Sequence, residues 1–565
     1  MGSGGVLLAE SVVVPFASPP LSPTASRAAG AALIGGLYVA HASIFGDYVA
    51  DDAGISLAYG RNMMSGNGPV LYPGGEAVEA YSNPLWTALL GVASASGLDG
   101  ADGVPLLKGL SLLFGLATVA LAATAARYAY PDRAAITWLA PALLASLTPF
   151  VFWTASGMEN ALYAFVMLLA FVLQLRELNA TNVAPWSAVA IAALALTRPE
   201  GIAFAAAFLV HRVLAGERGR RLVVWGVVIV GAYALFLASR VIIYGDWVPN
   251  TYYAKVALYD RHLSSLVGYL RDPDDRGTRH LLENIAAVWP LVLIAAVGLL
   301  DPRRWRAALL IAGVLAGTAL YVVYVGGDFW PAGRFFTAAL PLLALAVQHA
   351  VNTVHVRHAR VGTVAAAVLV GVTLNQSLQT SAGLRVLHDG NALISLQGRL
   401  ETARRLQALA HALGIEDPVV LDPDIGGLAV AGLRIVDLGG LADIHIARFH
   451  WHPPFFRDYV FDERRPDFIR THATWTASTG ITAFAEFDAD YVAIRSWHDA
   501  LGLHGEFVRR EHLEPPDGTA VRREPQRPPS WRQAIDDGRA RRRREDARAM
   551  SERSANRRDV SAVTQ

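Results

Sequence analysis

Not one of the 565 residues is a cysteine, and only 17% are charged. The first absence excludes disulfides, thiolate metal sites and a cysteine nucleophile, and it is compatible with an extracytoplasmic domain that does without crosslinks. The second, set against 53% hydrophobic residues and a positive mean hydropathy, excludes an ordinary soluble enzyme. Walker, Rossmann and His/Cys zinc patterns are missing, so energy from nucleotide hydrolysis is not indicated. There is no internal repeat and no matched pair of short broken helices, which counts against a secondary transporter. A net charge of +1 says little about partners, because charge is sparse in the middle of the chain and Arg crowds its end.

What is present is a series of apolar segments, at about 28–45, 105–126, 134–151, 158–175, 184–197, 200–213, 222–243, 283–300, 306–325, 335–350 and 361–380, each bounded by charge, Pro or Gly. They predict an α-helical polytopic membrane protein with about eleven transmembrane helices. With the N-terminus inside, the connections near Arg127 to Arg133, Arg176, Arg212 to Arg221, Asp301 to Arg306 and His355 to Arg360 are cytoplasmic, and each carries Arg. Residues 1–26, rich in Gly, Ser and Pro, read as a disordered cytoplasmic leader. The membrane domain is expected over 27–383. The run from Pro84 to Leu98 is barely long enough to span, and is placed in the first outer loop as an interfacial helix with Trp86 at headgroup level. The segments flanking Arg198 and Glu200 are also short, so their junction is expected to dip into the membrane, where the two charges must pair or face a cavity.

From about Leu384 the pattern changes to that of an extracytoplasmic α/β domain over 384–515, with an amphipathic helix at 394–413, short apolar strands, and turns at Asp422 to Gly427 and Asp437 to Asp443. Residues 516–565 are expected to be a disordered Arg-rich tail. Nucleic acid is a poor partner for such a tail on the outer side. Anionic lipid or wall polymer fits better, with solubility as the plain alternative.

The other connections share one outer face, and they hold the polar and aromatic motifs. Asp51 and Asp52 directly follow the first apolar segment. Either they cap a helix, or one is a base or electrostatic stabiliser while its neighbour positions a substrate or cation. Around them the outer loops supply Glu79, Glu159, Glu200, Asp246 and Asp328 as acids and Arg61, Arg198, Lys255 and Arg334 as cations. Trp86, Trp247, Tyr252, Tyr253, Phe329 and Trp330 add aromatic surface, and Asn83 a further polar group. Carboxylates beside a stacking platform suit a sugar acceptor, and cations in the same cavity suit a phosphate. Phosphate is already a good leaving group, so the chemistry needs a base or nucleophile plus cationic stabilisation. Each part has a plainer alternative: Arg198 with Glu200 is more often a structural ion pair, and Tyr252, Tyr253 and Trp330 serve equally well as interface-belt aromatics.

In their order, Asp51-Asp52, Arg61-Asn62, Gly66-Asn67-Gly68, Val78-Glu79, Ser82 to Trp86, Ser156 to Glu159, Thr197 to Gly201, Pro249 to Lys255 and Gly327 to Arg334 resemble the motifs of the polyprenyl-phosphate-dependent GT-C glycosyltransferases. Within these they are similar to the group containing the terminal arabinofuranosyltransferase of mycobacterial arabinan assembly. The resemblance implies a GT-C fold in the plasma membrane with Asp51 and Asp52 at the catalytic centre. It implies a polyprenyl-phosphate-linked donor and an envelope glycan acceptor, with arabinofuranose as a candidate sugar and cell-wall arabinan as a candidate product. Arg198, Lys255 and Arg334 are expected at the donor phosphate; Glu79, Asn83, Trp86, Glu159, Glu200, Tyr252, Tyr253, Asp328 and Trp330 are expected around the sugar and acceptor. No cofactor is fixed by the sequence; the acids leave room for a divalent cation without naming its ligands. The rival readings are a lipid-linked-sugar transporter or flippase, which needs polar residues through the whole membrane depth, and a non-catalytic glycan-binding assembly protein.

Overall fold

The computed structural model describes residues 23–98, 100, 102–130, 136–180, 183–255, 262–390, 392–449, 452–500, 502–513 and 544. The tail expected over 516–565 lies outside the described residues apart from position 544. So does the leader up to residue 22, while Pro23 to Ser26 open the first helix.

The chain is mostly helical. Among the described residues, five helices are long and apolar enough to cross a membrane: Val104–Ala129, Asn160–Leu178, Arg220–Tyr244, Pro302–Val325 and Ala359–Asp389. Arg276–Ala287 and Trp289–Leu299 meet at 86° and make a sixth if the bent pair is one span. The other expected crossings are helical too: Pro23–Ser43 and Leu340–Arg357 are long enough but less apolar, and the rest are shorter or broken. Leu139–Ser146 and Thr148–Thr154 are separate helices, because Pro149 removes a donor and starts a new first turn. Trp186–Thr197 and Gly201–Leu214 stop on either side of Arg198 and Glu200. Helix Ala359–Asp389 runs on past Leu384, where the sequence pattern changes.

Two buried polar clusters mark the ends of helix Asn160–Leu178. At one end Arg198 bridges Glu159 and Glu200. At the other Arg212 pairs with Glu177 at 2.9 Å, and the Trp225 indole donates to Ser187 beside them. Seventeen helical residues separate Glu159 from Glu177 by about 27 Å, close to a bilayer's hydrocarbon thickness. Between them the core is apolar, with Phe150, Phe171, Met167 and Leu345 fully buried.

Pro84–Ala95 is a helix as expected, but Trp86 is not at headgroup level: it is fully buried, its ring edge-on to Phe114. The cause lies in two glycines. Gly60 of helix Asp51–Met64 faces Gly91 so closely that a Cβ on Gly60 would lie 2.7 Å from the Gly91 nitrogen. The two helices therefore close to backbone contact and carry Trp86 inside.

The C-terminal region contains the amphipathic helix, Leu396–Ala412, and a five-stranded sheet of order β2-β1-β3-β5-β4. Its strands are β1 (Val419–Asp422), β2 (Arg434–Asp437), β3 (Phe468–Thr471), β4 (Tyr491–Asp499) and β5 (Gly502–Arg509). β1 runs parallel to β2 and β3, and β5 is antiparallel to β3 and β4. This region shares a core with the stretch that follows the first helix: Ile55, Tyr59 and Leu71 pack with Leu406, Leu428, Ile435 and Phe468. Helix Asp51–Met64 is thus held between the membrane helices and the sheet.

The tightest point of that contact is Gly426, where a Cβ would fall 1.9 Å from the Asp51 carbonyl oxygen. A backbone obstacle cannot rotate away. Gly426→Ala is therefore expected to cost at least about 3 kcal/mol, the upper end for overpacking, read as a lower thermal midpoint in detergent. An unchanged midpoint would mean that this approach is not kept in solution.

Candidate active site

The acidic pair is placed from two sides. The Ala50 amide donates to the Ser156 carbonyl at 2.9 Å, the Leu396 amide donates to the Val49 carbonyl at 2.9 Å, and Ala50 bridges to Ser395. From this fixed point the two carboxylates diverge. The side chain of Asp51 does not cap its own helix, whose N-cap position is Ala50 with no side-chain hydrogen bond. Instead its oxygens accept from the amides of Gly426 at 2.9 Å and Gly427 at 2.7 Å, at the start of helix Gly426–Val430. Burial pushes its pKa up to about 8, helped by the charge of Asp424 and opposed by Arg399 and the two amides. Both Asp51 oxygens are thus taken up by backbone amides of the C-terminal region, whereas the sequence resemblance puts this side chain at the catalytic centre.

Asp52 turns the other way and keeps 26% of its side chain exposed. It stands 3.7 Å from the Arg334 guanidinium, which also makes a two-point pair with Asp328 at 2.8 and 3.1 Å. Gly326 and Gly327, both in the left-handed region, make the turn that presents Asp328, a conformation a side chain at either position would strain. Lys255 ends helix Asn250–Lys255, is exposed, and lies within electrostatic reach of Asp52, Asp328, Arg334 and Arg198. Desolvation by the surrounding protein lowers its pKa, Asp52 and Asp328 raise it, and Arg334 and Arg198 lower it further.

The expected phosphate ligand Arg198 is committed elsewhere. It is buried between Glu159 and Glu200, and Asn83 donates to the second Glu159 oxygen at 2.8 Å while accepting from Ser56 and Thr87 at 3.0 Å each. Arg198, Glu159, Glu200 and Asn83 thus form one buried polar network. Glu79 is likewise occupied, paired to Arg240 at 2.7 Å and 2% exposed. A lone Arg inside an apolar segment was the signal for that partner. Trp86 is enclosed, and Trp330 is buried edge-on to Trp153. Of the expected sugar-facing aromatics, Tyr252 is exposed and Tyr253 half-buried, with the Arg448 guanidinium 4.4 Å over the Tyr253 ring.

Beside Asp328 opens a cavity of about 480 Å³. Asp328, Phe329 and Trp330 line it together with Val288 and Leu291 from the bent helix pair and Val372 from helix Ala359–Asp389.

No protein-family model matches the chain. Over 286 residues it is 30% identical to the terminal β-(1→2)-arabinofuranosyltransferase of Mycobacterium tuberculosis, an alignment covering 48% of this chain and 43% of that protein. The chain therefore spans less than half the length of this relative. The oligosaccharyltransferase of Archaeoglobus fulgidus in its apo form superposes with a TM-score of 0.53 at 12% identity, over 87% of this chain and 75% of that one. The same archaeal enzyme in complex with an inhibitory peptide and a dolichol-phosphate gives 0.53 at 11% identity, with the same coverage. At such identities the likeness is one of fold. The chain thus has the GT-C fold of an oligosaccharyltransferase and resembles in sequence, over about half its length, a terminal arabinofuranosyltransferase.

Proposed function

We propose that this protein is a polyprenyl-phosphate-dependent glycosyltransferase of the plasma membrane, with the Asp52 cavity and the sheet on the outer face. On this reading it moves arabinofuranose from its lipid carrier to an envelope arabinan. The observation that carries the reading is an accessible carboxylate, Asp52, within electrostatic reach of an exposed cation, Lys255. Asp52 takes the proton of an acceptor hydroxyl, whose oxygen attacks the anomeric carbon. The bond from that carbon to the phosphate oxygen breaks, and its electron pair leaves with the polyprenyl phosphate, whose charge Lys255 balances. Arg334, fixed by Asp328, orients Asp52 and adds positive potential. The cavity between the bent helix pair and helix Ala359–Asp389, with Asp328 in its lining, suits the first prenyl units. The sugar assignment leans on the mycobacterial relative, and a lipid-phosphate carrier on the dolichol-phosphate complex of the shared fold.

Lys255→Gln tests the phosphate contact. Losing a charge-assisted hydrogen bond costs about 1.5–3 kcal/mol, so donor affinity in detergent is expected to fall roughly ten- to a hundredfold with acceptor affinity unchanged. Equal donor affinity in variant and wild type would remove Lys255 from the donor site.

A further inference from the structure

A second constellation lies outside the sugar-transfer cavity. β1 and β3 are neighbouring parallel strands, paired at Val420 with Phe468 and Leu421 with Ile469, so their carboxyl ends open on one edge. Asp422 closes β1, Asp424 follows in the loop, and His472 comes one residue after β3. The His472 Nε2 atom is 2.8 Å from Asp424 Oδ2 and 3.8 Å from Asp422 Oδ1, and one ligand atom from each residue lies within 4.8 Å of the others. Neighbouring atoms bound to a metal at about 2.1 Å sit about 3 Å apart, so these separations fit a shared ion.

A second observation points the same way. Asp424 is only 9% exposed, and its Oδ2 and His472 Nε2, both shut off from solvent, touch at 2.8 Å without the alignment of a good hydrogen bond. A simple imidazolium–carboxylate pair would put an N–H on the line between them. Arg399 stands 3.2 Å from Asp424 Oδ2, and Arg470 holds the other Asp422 oxygen, Oδ2; Asp422 Oδ1 accepts from the Asp424 amide at 3.0 Å. The arginines are thus charge partners on the outside of the cluster, while the imidazole and the two carboxylate oxygens face inward.

We propose that Asp422, Asp424 and His472 bind a divalent cation of the first transition row. Two carboxylates with one imidazole suit Mn²⁺ or Zn²⁺ better than Mg²⁺ or Ca²⁺, which favour all-oxygen sites. The ion ties the ends of β1 and β3 together and fixes the loop whose next residues, Gly426 and Gly427, receive Asp51. Its role is to hold the sheet against helix Asp51–Met64, and the inference stands apart from the sugar-transfer reading.

The test uses the full-length protein in detergent, stripped with chelator and titrated with Mn²⁺ followed by electron paramagnetic resonance, then with Zn²⁺ by calorimetry. One ion per chain is expected, with a thermal midpoint that rises when it binds. Asp424→Asn and His472→Gln should each weaken binding at least tenfold and abolish the rise; His472 is partly exposed and tolerates exchange, so one folded variant is available. Absence of binding up to millimolar metal, or equal binding in wild type and the His472 variant, would overturn the site and leave an ion pair only.

Discussion

Asp52→Asn should cut sugar transfer at least about a hundredfold, the usual scale for a lost general base, while the thermal midpoint and donor affinity barely move. The expectation of a clean kinetic effect follows from where the side chain points. Asp52 is partly open, its ion-pair contact in the site is with Arg334 at 3.7 Å, and an amide of the same shape keeps the packing. Asp51→Asn should behave differently. Its amide oxygen can still accept one of the Gly426 and Gly427 N–H groups, but the other is left unsatisfied in a buried place, so stability falls first and turnover follows it. Full activity in Asp52→Asn would move the search for the base to Asp328.

Arg198→Met is expected to be among the most destabilising single substitutions in the chain. It removes the cation between Glu159 and Glu200, both under 9% exposed, and leaves two carboxylates without compensation. Breaking a buried pair from one side typically costs about 3–5 kcal/mol. Guanidinium contacts over the Tyr163 and Phe335 rings, at 5.8 and 5.3 Å, are lost as well. The check is thermal unfolding in detergent, together with the variant that also carries Glu159→Gln and Glu200→Gln. That variant should recover most of the loss, because no uncompensated charge remains. If Arg198→Met kept wild-type stability and lost only donor binding, the guanidinium would belong to the phosphate site after all.

These expectations also mark what could be read in the sequence. The apolar segments, the short helices around Arg198 and the amphipathic helix that became Leu396–Ala412 were legible, because hydropathy and periodicity are local properties. The Arg198–Glu200 pair was legible too, as two opposite charges two residues apart at a helix break. Its third member, Glu159, was placed only on the same outer face, since nothing in a one-dimensional pattern says which carboxylate will turn inward. Asp51 is the clearest case. Two adjacent acids look equivalent in sequence, yet one is claimed by amides more than 370 residues away and the other stands partly open beside Arg334. Trp86 failed for the same reason: its exposure is decided by the Gly60–Gly91 approach, a tertiary contact. Asp422 and Asp424 read as turn formers, and only the parallel pairing of β1 with β3 brings His472 to them.

The most direct test of the account is transfer itself. Purified protein would be incubated with radiolabelled polyprenyl-phosphoryl arabinofuranose and a synthetic arabinan acceptor, with other polyprenyl-phosphoryl sugars in parallel. The account predicts that label moves to the acceptor, that one polyprenyl phosphate is released for each sugar transferred, and that Asp52→Asn abolishes both. Label that stays on the lipid with every donor offered, in protein shown to bind the donor, would contradict it.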